Sequence, residues 1–162
     1  LQSSPNQSFG NFGTLDQQLA LRWVNKNIKY FGGDHDNVCL LGWSVGAAYI
    51  SVHLGSMPSS KGLFHRAIMM SGGFADWAST SLEYAEQQYD SILKATSCEK
   101  DQECMELGPP CTCLLSKSAD ELAVASASLQ FWWAPAVDGI AVLKPPLDAV
   151  MAGESLKTIP II

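Results

Sequence analysis

Val38-Cys39-Leu40-Leu41-Gly42-Trp43-Ser44-Val45-Gly46 is the stretch on which the reading of this chain turns. An all-apolar run leads straight into a G-x-S-x-G pattern, and the small residues Ala47 and Ala48 follow it. The run reads as a buried strand and the continuation as a helix lying close against it. A sharp turn between the two holds a serine in a strained backbone and lifts its hydroxyl clear of the sheet, which makes Ser44 a candidate nucleophile. The flanking glycines are expected to be there because a side chain at either would strike the neighbouring strand or helix. With 13 glycines in 162 residues, such a pattern arises by chance on the order of 0.1 times, so its surroundings have to carry the argument.

Working outward, Thr14-Leu15-Asp16-Gln17 has the form of a capping box, and Leu15, Leu19, Trp23, Val24, Ile28 and Phe31 recur at helical spacing until Gly32-Gly33. A helix of about four turns is therefore expected before the strand. Residues 1–12 read as a polar loop. After the turn, residues 45–54 read as a buried helix ended by Gly55, with Gly46, Ala47 and Ala48 small enough to approach the sheet. Ala67-Ile68-Met69-Met70 reads as a second strand that ends in Ser71-Gly72-Gly73. Strand, helix, strand in this order predicts a βαβ unit with a parallel sheet, hence an α/β fold. Further helices are expected over residues 81–95, near Ser118 with Asp120 and Glu121 in the first turn, and over 147–151.

The chain is 47% hydrophobic and carries a net charge of −6, and only 16% of it is charged. An acidic balance argues against nucleic acid as a partner, and no apolar stretch is long enough to cross a bilayer. Low charge predicts a segment mostly interior to something larger. Lys157-Thr158-Ile159-Pro160-Ile161-Ile162 reads as a strand beginning, and no signal peptide opens the chain. Residues 1–162 are accordingly expected to be the central part of a single domain, incomplete at both ends.

Several spaced motifs carry a resemblance. Gly10-Asn11-Phe12-Gly13, Asp16-Gln17-Gln18-Leu19-Ala20-Leu21-Arg22-Trp23-Val24, Asn27-Ile28, Phe31-Gly32-Gly33-Asp34, the serine turn, Leu63-Phe64-His65-Arg66-Ala67-Ile68 and Ser71-Gly72 stand in one order. They resemble the type-B carboxylesterase and cholinesterase family. Less densely, Cys113-Leu114-Leu115, Ser118-Ala119-Asp120-Glu121-Leu122 and Pro135-Ala136-Val137-Asp138-Gly139 continue the likeness. The resemblance implies a partial α/β-hydrolase fold and a serine ester hydrolase. It matches Ser44 to the acylated nucleophile, the backbone N–H of Val45 to one oxyanion donor, and Trp77 to an aromatic residue lining the acyl pocket. It puts the other oxyanion donors in a glycine-rich loop before residue 1, and the acid and base after Ile162.

Within the chain, none of His35, His53 and His65 is placed to reach Ser44, so each reads as a surface or packing histidine, as Asp34, Asp36 and Asp138 do among the carboxylates. Trp43 stands where active members usually carry glutamate, and Val45 where alanine is usual. A catalytically silent adhesion or binding protein on the same fold is therefore the alternative reading. The implied substrate is a small-molecule or lipid ester. No cofactor and no metal site are expected, because no residues share a ligand spacing.

Cys98, Cys104, Cys111 and Cys113 cluster, while Cys39 stands alone in an apolar strand, where it reads as a free, buried thiol. The cluster suits disulfides better than zinc, since Cys111-x-Cys113 is too tight for the usual ligand gap. Four cysteines allow three pairings. The resemblance implies Cys98 with Cys113, leaving Cys104 for Cys111 around Gly108-Pro109-Pro110. Such bridges predict an extracellular or secretory-pathway setting. Asn6-Gln7-Ser8 has the form of a glycosylation acceptor, which agrees with that setting but is short enough to arise by chance.

Overall fold

A computed structural model describes residues 10–106, 111–129, 132–154 and 158–162. Asn6 and the Gly108-Pro109-Pro110 turn lie outside the described residues. The chain forms two compact units, one of Asn11–Thr80 with Ala134–Ile162 and one built on Ser81–Trp133.

In the first unit, β1 (Cys39–Trp43) and β2 (Arg66–Met70) pair in parallel, with Leu41 opposite Ile68 and Trp43 opposite Met70. The helix α2 (Val45–Ser51) crosses between them. Ile161 bridges to Ala67 on the other edge of β2, again in parallel, and the Ile162 N–H donates to the Ala67 carbonyl at 3.0 Å. Where the composition predicts a strand, the end of the chain makes a single parallel bridge to β2. The core beneath this sheet is Ile50, Leu54, Phe64 and Ala67.

The first helix departs from expectation. α1 spans Phe12–Asn27, so Thr14 lies inside it and is buried rather than capping it. Asn11 precedes the helix at φ 60°, and its carbonyl accepts from the Leu15 N–H at 2.9 Å. Its side-chain amide, however, serves a neighbouring segment. Nδ2 donates to the Ala136 carbonyl at 2.9 Å and to Asp138 Oδ2 at 3.0 Å, while Oδ1 accepts from the Ala136 N–H at 2.8 Å. An asparagine side chain thus imitates one rung of a β-ladder, with an amide's matched donor and acceptor. The apolar stripe is also not the buried one: Leu19 is 65% and Trp23 53% exposed, whereas Thr14 and Gln18 are buried. A polar face can turn inward here because its amides find partners, as shown below.

Asp138 completes that clamp. Its Oδ1 accepts from the N–H groups of Ile140, Ala141 and Val142, each at 2.9 Å, so the carboxylate folds a tight turn that carries the fully buried Val142 into contact with Val52 and Met57. This is the structural role expected of it. Asp138→Ala strands three backbone donors and the Asn11 amide, and we expect a loss of about 2 kcal/mol in urea unfolding. Asp138→Asn, which keeps Oδ1 but sets one amide N–H₂ against another, should fall between the two.

The helix after the serine turn changes character midway. α2 is α-helical to Ser51, and a π-helical turn over Val52–Ser56 follows, with the Met57 N–H reaching the Val52 carbonyl at 3.1 Å. Ala47 and Ala48 are buried as expected. Cys39 is free but exposed, contrary to the buried thiol expected from the strand's composition. The cause is alternation: Leu40 and Gly42 turn toward α2, while Cys39, Leu41 (65% exposed) and Trp43 (71% exposed) alternate with them and are exposed.

The second unit starts with α3 (Leu82–Ala95), capped by Ser81, whose Oγ accepts from the Tyr84 N–H at 3.1 Å. Short helices α4 (Gln102–Glu106) and α5 (Thr112–Leu115) follow. Ser118 and Glu121 form a reciprocal capping box at the start of α6 (Ala119–Ser128), where the sequence predicts a helix. Cys98 is bridged to Cys113 and Cys104 to Cys111, the pairing that the resemblance implies. Cys98, Cys104 and Cys111 are fully buried and pack with Leu93, Tyr89 and Leu114 into a small core. Closing the loop of 15 residues between Cys98 and Cys113 stabilises such a unit by roughly 3 kcal/mol in the chain-entropy view.

The last helix, α7 (Pro146–Met151), belongs to the first unit and starts with proline at its first turn, where the ring costs no hydrogen bond.

Candidate active site

Ser44 sits between β1 and α2 with φ 53° and ψ −117°. This is a sparsely populated conformation for a side-chain-bearing residue and costs on the order of 1–3 kcal/mol. Neighbouring contacts impose it. The Ser44 N–H donates to the Met70 carbonyl at the end of β2 at 2.8 Å, and the Ser44 carbonyl accepts from the N–H groups of Ala47 and Ala48 at 3.0 and 3.2 Å. The chain is thus bound to the strand through the peptide before Ser44 and committed to the helix through the peptide after it. The hydroxyl makes no capping bond to α2, and the residue is exposed. A serine at a helix start ordinarily caps it. Here the backbone angles direct the side chain away.

One expectation about the glycines holds and one does not. A Cβ on Gly42 would stand 2.4 Å from the Gly46 carbonyl carbon and 2.7 Å from the Ala47 nitrogen. A Cβ on Gly46 would meet nothing within 4 Å. The close approach is therefore made by the glycine before the serine. A second such position lies outside the pentapeptide: a Cβ on Gly72 would stand 2.3 Å from the Ser44 carbonyl oxygen.

Val45 is the first residue of α2, so its N–H has no intrahelical acceptor and faces outward beside the serine. Trp77 lies in the short turn Asp76–Ala78, which packs against α2, and is 37% exposed. Ser44 and Val45 are thus neighbours at the tip of the sheet, with Trp77 on a segment of the same unit. The cysteine cluster belongs to the other unit.

The histidines are engaged elsewhere. His35 is exposed and lies 3.2 Å from the Asp36 carboxylate, and His65 Nδ1 accepts from the Val38 N–H at 3.3 Å. His53 is buried. Its Nδ1 lies 2.9 Å from Ser60 Oγ and its Nε2 3.1 Å from Gln17 Oε1. Ser60 Oγ accepts from Gln18 Nε2 at 3.2 Å, Ser59 Oγ accepts from the same nitrogen at 2.7 Å, and Gln18 Oε1 accepts from Arg22 at 3.0 Å. Because the Gln17 oxygen can only accept, Nε2 carries the proton and Nδ1 accepts from the Ser60 hydroxyl. The donors then run in one direction from Arg22 to Gln17, every lone pair opposite a proton. Burial lowers the His53 pKa to about 4, so the ring is neutral near pH 7. The sequence signal for this network is weak: two adjacent glutamines and an arginine on α1, with no polar periodicity to mark them as buried.

A cavity of about 290 Å³ beside α2 is lined by Leu21, Leu40, Leu41, Tyr49 and Ile50 with Gln17 and His53, and does not include Ser44. Among the described residues no group of three or more His, Cys, Asp or Glu side chains could hold a metal ion, and no helix is long and apolar enough to cross a membrane.

Known proteins are similar to this chain over most of its length. The acetylcholinesterase of Myxine glutinosa is 36% identical over 155 residues, covering 92% of this chain and 45% of that protein. The pyrethroid hydrolase Ces2a of Mus musculus is 42% identical over 141 residues, covering 86% of this chain and 24% of its own. The crystal structure of carboxylesterase EST55 from Geobacillus stearothermophilus superposes with a TM-score of 0.79 at 39% identity, over 94% of this chain and 30% of that one. The chain therefore spans less than half the length of these relatives. Its parallel strands and flanking helices are those of an α/β-hydrolase, as expected. The pattern of the Carboxylesterase family matches residues 1–162, and the chain accordingly belongs to that family.

Proposed function

We propose that the protein containing this chain is a serine carboxylic ester hydrolase and that Ser44 is its nucleophile. One observation carries the reading: Ser44 holds a strained backbone that leaves its hydroxyl uncapped and exposed at the tip of a parallel sheet. The Ser44 hydroxyl attacks the ester carbonyl carbon, losing its proton to a general base. The carbonyl oxygen becomes an oxyanion that accepts from the Val45 N–H, a donor already oriented before the charge develops. Collapse expels the alcohol, leaves the acyl group on Ser44 Oγ, and water then releases the acid. Since His35, His53 and His65 are engaged elsewhere, the base and its acid partner are supplied by parts of the protein outside these 162 residues. Trp77 offers an aromatic wall for the acyl group, and the 162 residues form the central part of one hydrolase domain. The substrate is a small-molecule or lipid ester, and the relatives' names point to the small-molecule class. Two disulfides in 162 residues favour an oxidising, secretory setting.

The alternative is a catalytically silent binding protein on this fold, and Trp43 favours it. An indole beside Ser44 cannot accept the hydrogen bonds of a carboxylate. Reaction of the full-length protein with a fluorophosphonate probe, followed by peptide mapping, separates the two. We expect the adduct on Ser44. An adduct elsewhere overturns the assignment, and no adduct supports the silent reading.

A further inference from the structure

We propose that Gly72, outside the G-x-S-x-G pattern, is a positioning residue that sets the orientation of the peptide between Ser44 and Val45. The inference rests on the function proposed above.

The argument starts from peptide geometry. The Ser44 carbonyl and the Val45 N–H belong to one planar trans unit, so whatever fixes the oxygen on one side fixes the hydrogen on the other. The hydrogen side is the oxyanion donor. The oxygen side is held from within α2 by the N–H groups of Ala47 and Ala48, and the glycine-rich turn after β2 lies directly against it. That turn is closely constrained. Ser71 has φ 54°, and Ser51 Oγ, whose single proton is shared between the Ala48 carbonyl at 2.6 Å and the Gly73 carbonyl at 3.1 Å, ties α2 to it.

A methyl group at Gly72 would lie 2.3 Å from the Ser44 oxygen and 3.0 Å from the Ala47 side chain. The oxygen belongs to backbone and cannot rotate away as a side-chain tip would. It has to retreat beyond 3.0 Å, and the peptide then tilts its N–H away from the oxyanion position. Substrate binding through other surfaces is untouched. Interactions made only in the transition state are weakened.

The test is steady-state kinetics of the full-length protein on a short nitrophenyl ester. It is paired with the affinity of a trifluoromethyl ketone, which binds as a tetrahedral oxyanion adduct, and with fluorophosphonate mapping of wild type. For Gly72→Ala we expect kcat to fall about 100-fold, the effect of losing one oxyanion donor, with KM unchanged and ketone affinity falling in proportion to kcat/KM. Gly13→Ala, on α1 where a methyl meets nothing within 4 Å, should leave all three as in wild type. If Gly72→Ala does not fold, Ser51→Ala, which only loosens the turn, should lower kcat about fivefold at constant KM. Labelled wild type with undiminished kcat in the folded Gly72→Ala variant, or in Ser51→Ala where that variant is needed, overturns this inference alone. So does a KM that rises in step with the loss of kcat/KM. Wild type that is not labelled on Ser44 overturns the proposed function and this inference with it.

Discussion

Replacing Ser44 with alanine in the full-length protein should lower kcat/KM for an activated ester by about 10⁴- to 10⁶-fold, the range found when a nucleophilic serine is removed from a working triad. The measurement is steady-state hydrolysis beside a probe-labelling control, with urea unfolding to establish that the variant is folded. Rate is not the only quantity that should change. Ser44 holds φ 53° at a cost, and glycine adopts that conformation freely. Ser44→Gly should therefore be as inactive as Ser44→Ala yet more stable by about 1 kcal/mol, because strain at the turn is relieved. A variant that loses the hydroxyl and keeps its hydrolysis rate would remove Ser44 from the mechanism. One that is inactive and also less stable than Ser44→Ala would show that the strain is not local to this residue.

Acidification should destabilise the first unit through His53. Burial holds its folded-state pKa at about 4, against an ordinary value of 6.5. The unfolded chain therefore takes up a proton first as pH falls. The neutral ring's contribution is complete above pH 6.5 and is lost progressively from there down to about pH 4, where the folded form protonates as well. A difference of this size is worth roughly 3 kcal/mol. The groups facing the ring, Gln17, Ser60 and behind it Gln18, Ser59 and Arg22, include no carboxylate that would favour the charge. Protonation also turns Nδ1 into a donor and leaves the Ser60 hydroxyl without its acceptor. The check is urea unfolding of wild type and His53→Gln between pH 7 and pH 4. His53→Gln should be the less stable at pH 7, and the gap should close as pH falls. Curves that stay parallel across that window would show that His53 does not titrate between the two states.

Much of the turn at Ser44 is legible in the sequence because it depends on local chemistry. An apolar run, a serine between glycines and two alanines can form little else, and the spacing from residue 38 to residue 70 leaves room for one crossover helix. The cysteine pairing was legible only through resemblance, since spacing left three possibilities. The start of α1 is not legible, because Thr14-Leu15-Asp16-Gln17 satisfies a local rule while Asn11 answers to residues 136 and 138, a contact across more than a hundred positions that no window along the chain contains.

By itself, the sequence determined the α/β class, the order of strand, serine and helix, and the family, because periodicity, turn residues and spaced motifs are properties of neighbours along the chain. Only the tertiary structure decided which face of α1 is buried, that Cys39 is exposed, that Gly46 has room while Gly72 has none, and that His53 is neutral within a directed network. Each of these depends on what a distant segment brings to within a few ångströms: Gly72 is excluded from bearing a side chain by the Ser44 carbonyl in the turn after β1, and His53 is kept neutral by burial that α1 and the turn at Ser60 impose together.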